Sequence, residues 1–153
     1  MTQTLHPTPD LPERRRWMSI LARASADALR EHLADAPPLP AHTRLKGPDT
    51  GLVMLRGRAG GDGTPFNLME ATATRCTVSM GQAMGHATVL GRDAAQAELA
   101  AAIDAALQLP DLRAPLLAAV IEPLAAAQDA ARAETARKAE ATRVNFFTMV
   151  AMR

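Results

Sequence analysis

Four arginines stand where phosphate chemistry could be done. Arg56 and Arg58 lie two residues apart in a stretch of strand-like alternation, which puts both on one sheet face, and Arg75 and Arg92 can approach from neighbouring strands. Such a cluster could hold a phosphate or an acidic loop of another protein; the plainer and preferred alternative is a solvated sheet face. Next to it runs Gly60-Gly61-Asp62-Gly63, whose backbone amides could cradle an anion. The loop lacks the lysine and following helix of a nucleotide-binding phosphate loop, and a tight or bulged hairpin needs the same glycines. The turn is the reading adopted.

Other chemistry is thinner. Glu70, Thr72 and Thr74 alternate on one strand face and could offer a carboxylate with hydroxyls, but a lone carboxylate has no partner base, so an inter-strand hydrogen-bond ladder is expected. His6, His32, His42 and His86 are scattered without metal-ligand spacing, and Cys76 has no second cysteine to pair with. Ser19, Ser25 and Ser79 sit in no nucleophile elbow. Metal binding and independent catalysis by this chain are not expected. Trp17 with Met18 could anchor a partner, although an apolar stripe on a first helix more often faces a core.

The elements that would carry these residues change character along the chain. Residues 1–9, with Pro7 and Pro9, read as a flexible leader, and 10–153 as one domain. A capped helix is expected from Asp10, with Pro12 in its first turn, and a second over 26–36, until Pro37, Pro38 and Pro40 stop helical structure. Over 42–92 the period becomes alternating, predicting strands at about 42–47, 52–59, 66–79 and 83–90. Turns are expected at Gly47-Pro48-Asp49-Thr50-Gly51, at the glycine loop and near Gly81. Short connections make these antiparallel hairpins. Asp93 can cap a helix ending at Pro110, with Leu99, Ile103 and Leu107 on one stripe. Leu112 begins another, and Pro123 kinks or restarts it. From Ala125 to Thr142 almost nothing exceeds alanine in size, and Asp129/Arg132, Glu134/Lys138 and Glu140/Arg143 can pair at helical spacing, each contributing about 0.2–0.5 kcal/mol. The fold class is therefore α+β: a small antiparallel sheet flanked by N-terminal helices, with a long C-terminal helical region over 93–150.

Composition narrows the function classes. Seventeen basic against sixteen acidic side chains leave a net charge of +1, so no electrostatic case exists for a general nucleic-acid binder. No long apolar span or cleavable signal is evident, so no membrane association is expected and the cytoplasm is the default location. Hydrophobic residues make up 48% of the chain, but alanine dominates them, and there are only three phenylalanines, one tryptophan and no tyrosine. Alanine removes little apolar area from water, so such a chain wants closely packed helices or burial against partners. The C-terminal Arg143, Val144, Asn145, Phe146, Phe147, Thr148, Met149 and Val150 form a dense apolar knot. Adjacent aromatics diverge by about 100° on a helix, so two surfaces must receive Phe146 and Phe147, or the segment is extended. The knot is a core plug or an intersubunit contact, with Arg143, Phe146, Phe147, Met149 and Trp17 the candidate interface residues.

Six blocks in order carry a family resemblance: RRRWMSILA, TGLVMLRGRAGGDGTPF, EATATR, GRDAAQAE, IEPL and TRVNFFTMV. Together they resemble the G subunit (PhnG) of the phosphonate carbon–phosphorus lyase core complex, over about Arg14 to Val150. Arg56, Arg58, Arg75 and Arg92 all fall inside these blocks, and Arg58, Arg75 and Arg92, with Gly60 and Gly61, are the candidate phosphate-binding residues. Two positions depart from the pattern: Asn145 replaces an acidic residue before the phenylalanines, and Met69 replaces a small one before Glu70. The resemblance implies an accessory and assembly subunit, a part of a ribose 1-methylphosphonate 5-triphosphate synthase of transferase type. Its partners would be the H, I and J subunits with an L component. ATP would be a substrate of the complex, losing adenine to a phosphonate in chemistry attributed to the I subunit. The iron–sulfur cluster and S-adenosylmethionine would belong to the J subunit, and this chain would hold no cofactor. The alternative is a stand-alone phosphate-ester binding protein using the arginine-lined sheet face and the glycine loop.

Overall fold

A computed structural model describes residues 10–144. The leader and the knot from Asn145 onward lie outside the described residues. Helices α1 (Leu11–Leu21) and α2 (Ala26–Ala34) come first, then strands β1 (Thr43–Arg58), β2 (Pro65–Met80) and β3 (Ala83–Leu90), then α3 (Ala94–Leu107), α4 (Pro110–Leu116) and α5 (Glu122–Ala141). A wider π turn over Leu117–Ile121 joins α4 to α5, and Pro123 sits in the first turn of α5, where a missing N–H costs nothing. The three strands form one antiparallel sheet in the order β1-β2-β3. The α+β architecture expected of the sequence is what the chain adopts.

The helix starts have local causes. Ser25 Oγ accepts from Ala28 N at 3.2 Å and Asp93 Oδ1 from Gln96 N at 2.9 Å, each satisfying an amide that the helix cannot. Asp10 behaves differently from the expected cap. Its side chain makes no capping bond, and Arg14 N donates to its backbone carbonyl at 3.0 Å.

β1 corrects the strand count. The expected reversal at 47–51 is absent, and the strand runs unbroken through it, shifting register between Arg44 and Lys46 and again between Lys46 and Asp49. A bulge absorbs the extra residues where a turn would have reversed the chain. Gly47 is fixed there by two constraints: its φ is 76°, and a Cβ would run into the Arg75 carbonyl oxygen. The real reversal is the glycine loop, where Gly63 N bonds Ala59 O at 2.9 Å and Gly60 and Gly61 take φ of 65° and 91°.

The core lies between one sheet face and the helices. Thr74, Cys76, Val78 and Met80 of β2 and Ala83, Ala87 and Val89 of β3 alternate into it. α3 is buried over most of its circumference from Ala100 to Leu107, wider than the single leucine and isoleucine stripe expected. Alanine makes this possible by letting backbones approach closely: at Gly85 a Cβ would strike the Ala101 carbonyl oxygen. α1, α2 and the α4–α5 turn close the other side, through Trp17, Leu21, Leu29, Leu116, Val120 and Ile121.

Two segments leave this body. β3 ends opposite Ala73, so beyond it residues 52–58 and 65–71 form a two-stranded arm of about 23 Å. α5 is held against α1 only at its start: Arg16 grips Glu122 with two bonds of 2.8 Å, and Gln128 Nε2 reaches Ile20 O at 2.9 Å. Residues 129–141 are then exposed for about 20 Å. Arg14 of α1 meets Met84, while Ala22 lines the same hollow as Thr88 and Leu90, so α1 runs parallel to β3; α5 runs parallel to α1. Both arms therefore point away from the same end of the molecule. No described helix is long and apolar enough to cross a membrane.

Candidate functional site

The arginines are not one cluster. Arg58 pairs across the sheet with Pro65 and Arg75 with Asp49, which separates the two by roughly 30 Å of strand. They also point to opposite sides, because Arg75 alternates away from the buried Thr74 and Cys76, whereas Arg56 and Arg58 follow Leu52 and Met54 on the other face. Arg92 follows β3, where Gly91 N bonds Thr72 O at 2.8 Å, and is far from the hairpin tip. What remains together is Arg56 and Arg58, lining an open hollow with Gly57, Gly61 and Pro65. Arg58 Nη1 donates to Gly63 O at 3.0 Å, so this side chain clips the turn shut.

Of the expected ladder only Thr74 is engaged through its side chain, and Thr72 makes no side-chain hydrogen bond among the described residues. Thr74 Oγ1 donates to Gly91 O at 2.8 Å, leaving its lone pair for Thr50 Oγ1 at 3.0 Å. Glu70 stays exposed further out, without a hydrogen-bond partner among the described residues. His42 Nε2 approaches Glu98 at 3.3 Å and His86 Nδ1 approaches Thr77 Oγ1 at 3.2 Å. Among the described residues no group of three or more histidine, cysteine, aspartate or glutamate side chains could hold a metal ion. Cys76 is buried, and that burial pushes its thiol above the ordinary range.

Trp17 is corrected as an interface residue. It has no exposed surface, and its indole N–H donates to Asp104 Oδ1 at 2.8 Å. Asp104 is the residue that sequence patterns missed. Its carboxylate is fully buried in α3 and also takes Arg14 Nε at 3.1 Å, Arg14 Nη2 at 2.8 Å and the His86 backbone N–H at 2.9 Å. The signal was present as a single acid inside the apolar run AAAIDAAL, a position that demands buried donors. Its role is to tie α1, α3 and β3 together.

The surfaces that remain unexplained by the fold are apolar. On the hairpin arm Leu52, Met54, Phe66, Leu68 and Met69 are all about half exposed or more, Leu52 reaching 62%. Gly57 lies between Phe66 and Leu68, since a Cβ there would sit 3.7 Å from the Phe66 ring. Monomers rarely leave so many large apolar side chains grouped on one projecting element. On α5 the three expected ion pairs all form: Arg132–Asp129 at 2.6 Å, Lys138–Glu134 at 2.7 Å and Arg143–Glu140 at 3.3 Å. Arg143 is exposed at the foot of the knot, while Phe146, Phe147 and Met149 lie outside the described residues.

The hairpin arm thus gathers exposed apolar side chains beyond the packed core, while the α5 arm is lined with paired charges. The family model described as phosphonate metabolism protein PhnG matches residues 12–151. This chain belongs to the PhnG family. It is also 45% identical, over 90% of its length and 88% of the relative's, to a protein of Rhizobium meliloti (strain 1021) named alpha-D-ribose 1-methylphosphonate 5-triphosphate synthase subunit PhnG. A match of that extent spans both arms as well as the core. The PhnG family relationship therefore covers the exposed hairpin and α5 together with the Asp104 network.

Proposed function

We propose that this chain is an accessory and assembly subunit of a ribose 1-methylphosphonate 5-triphosphate synthase, acting in the cytoplasm within a carbon–phosphorus lyase core complex. Its partners are the H, I and J subunits, with an L component, and residues 10–153 act as one folded unit. The complex uses ATP and a phosphonate, releasing adenine as the phosphonate takes ribose C1. This chain holds no cofactor of its own, and the iron–sulfur cluster and S-adenosylmethionine reside in a partner.

The observation that carries this reading is the exposed apolar hairpin arm, Leu52, Met54, Phe66, Leu68 and Met69, on a chain whose buried side-chain polar atoms, among the described residues, all find partners within its own fold. The relative's name as a synthase subunit supports the same conclusion. The mechanism is indirect: the chain organises the active subunit and shapes access to it. Omitting it from a mixture of the H, I and L components with ATP and methylphosphonate is expected to abolish adenine release. Undiminished release would overturn the proposal.

A second reading keeps the Arg56 and Arg58 hollow as a phosphate-ester site of a stand-alone binding protein. It requires the isolated chain to bind inorganic triphosphate and to lose that affinity in Arg58→Ala.

A further inference from the structure

The two edges of the sheet are treated differently. On β3 part of the outward backbone is covered from the helices: Met84 O accepts Arg14 Nη2 at 3.0 Å and Gln108 Nε2 at 2.8 Å, and His86 N–H goes to Asp104. On β1, among the described residues, no hydrogen bond reaches the outward backbone over 49–58. Exposed edges are normally blunted by shortness, lysine, proline or bulges. β1 has such devices on either side, at Lys46, Pro48 and the irregularity between Leu55 and Arg56, but pairs with β2 in unbroken register from Asp49 to Leu55. That run contains Leu52, Val53, Met54 and Leu55 and neither lysine nor proline.

We propose that the outer edge of β1 over 49–55 accepts a β-strand from a different polypeptide of the assembly, an extended apolar segment flanked by carboxylates. This rests on the functional reading above. Main-chain bonds would supply the register, while Leu52 and Met54 on one face and Val53 and Leu55 on the other receive alternate side chains. Charge selects the occupant. The run is bracketed by Arg44 and Lys46 on one side and Arg56 and Arg58 on the other, against the single carboxylate of Asp49 on this strand. A second copy would set four cations against the same four, whereas an acidic-flanked strand complements them.

The test is amide hydrogen exchange at single-residue resolution on the isolated chain and on the complex purified through a tag on this chain from its host grown on a phosphonate. Alternate amides within 49–55, those facing outward, are expected to exchange at least tenfold more slowly in the complex, while those already bonded to β2 change little. Equal exchange in both samples overturns the inference but leaves the subunit assignment standing; recovery of the chain without any other subunit removes both. Slowing that grows with the isolated chain's own concentration makes a second copy the occupant and overturns it too. As an independent arm, Arg56→Glu with Arg58→Glu is expected to weaken association at least tenfold at low salt with circular dichroism unchanged. Unaltered association contradicts the charge assignment.

Discussion

The Trp17 indole and the Asp104 carboxylate meet at 2.8 Å with neither side chain exposed to solvent. Around that contact Arg14 adds a cationic grip and the β3 backbone a further donor, so one carboxylate joins the first helix, the central helix and the sheet edge. Removing it leaves the buried indole N–H without its acceptor and the partly exposed Arg14 with Met84 O alone. Asp104→Ala is expected to destabilise the chain by about 3–5 kcal/mol in urea unfolding. A loss below about 1 kcal/mol, the scale of an ordinary surface substitution, would show that the network does not hold the core.

Gly85 supplies a steric counterpart. Because its position over Ala101 and Ala105 leaves no room for a Cβ, Gly85→Ala must push α3 off the sheet. Overpacking of this kind costs about 1–3 kcal/mol. Gly81→Ala, at a turn with a φ of 60° and nothing within 4 Å of an added Cβ, meets conformational strain without a clash. Thermal unfolding should therefore place Gly85→Ala well below Gly81→Ala, and equal melting temperatures would contradict the packing.

Cys76 gives a pH dependence. Burial raises its thiol, chiefly by desolvating the thiolate, with Glu98 adding to the effect. The folded chain then holds its proton above the ordinary thiol range of about 8.5, where the unfolded chain releases it. With more protons bound to the folded state in that window, stability falls as pH rises through and beyond about 8.5. Cys76→Ala should flatten this alkaline slope, and wild-type Cys76 should react with iodoacetamide at pH 8 only after denaturant is added. Rapid labelling of the native chain would contradict its burial.

The C-terminal knot is addressed by substitution. Phe146→Ala with Phe147→Ala is expected to abolish co-purification with partner subunits while leaving the helical circular dichroism signal nearly intact. Retained assembly would assign the knot to the chain's own interior.

Local signals in the sequence were read well where chemistry is local. Prolines and caps delimited α2, α3 and the restart at Pro123, and charge spacing located the pairs Arg132–Asp129, Lys138–Glu134 and Arg143–Glu140. Gly47-Pro48 misled because the same residues serve a turn and a bulge, and only the cross-strand partners Arg75 and Thr77 distinguish them. The arginine cluster failed for a related reason: a shared sheet does not bring residues together when register separates Arg58 from Arg75. Alternation did place β3, expected over 83–90 and found at Ala83–Leu90. The burial of Trp17 depended on Asp104, whose significance comes from donors supplied by three separate elements.

The most direct measurement is purification of the tagged chain, at high salt, from its host grown with a phosphonate as sole phosphorus source. Recovery of H, I and J subunits in a fixed ratio is the predicted result. A folded chain that emerges alone would contradict the account and turn attention to Arg56 and Arg58.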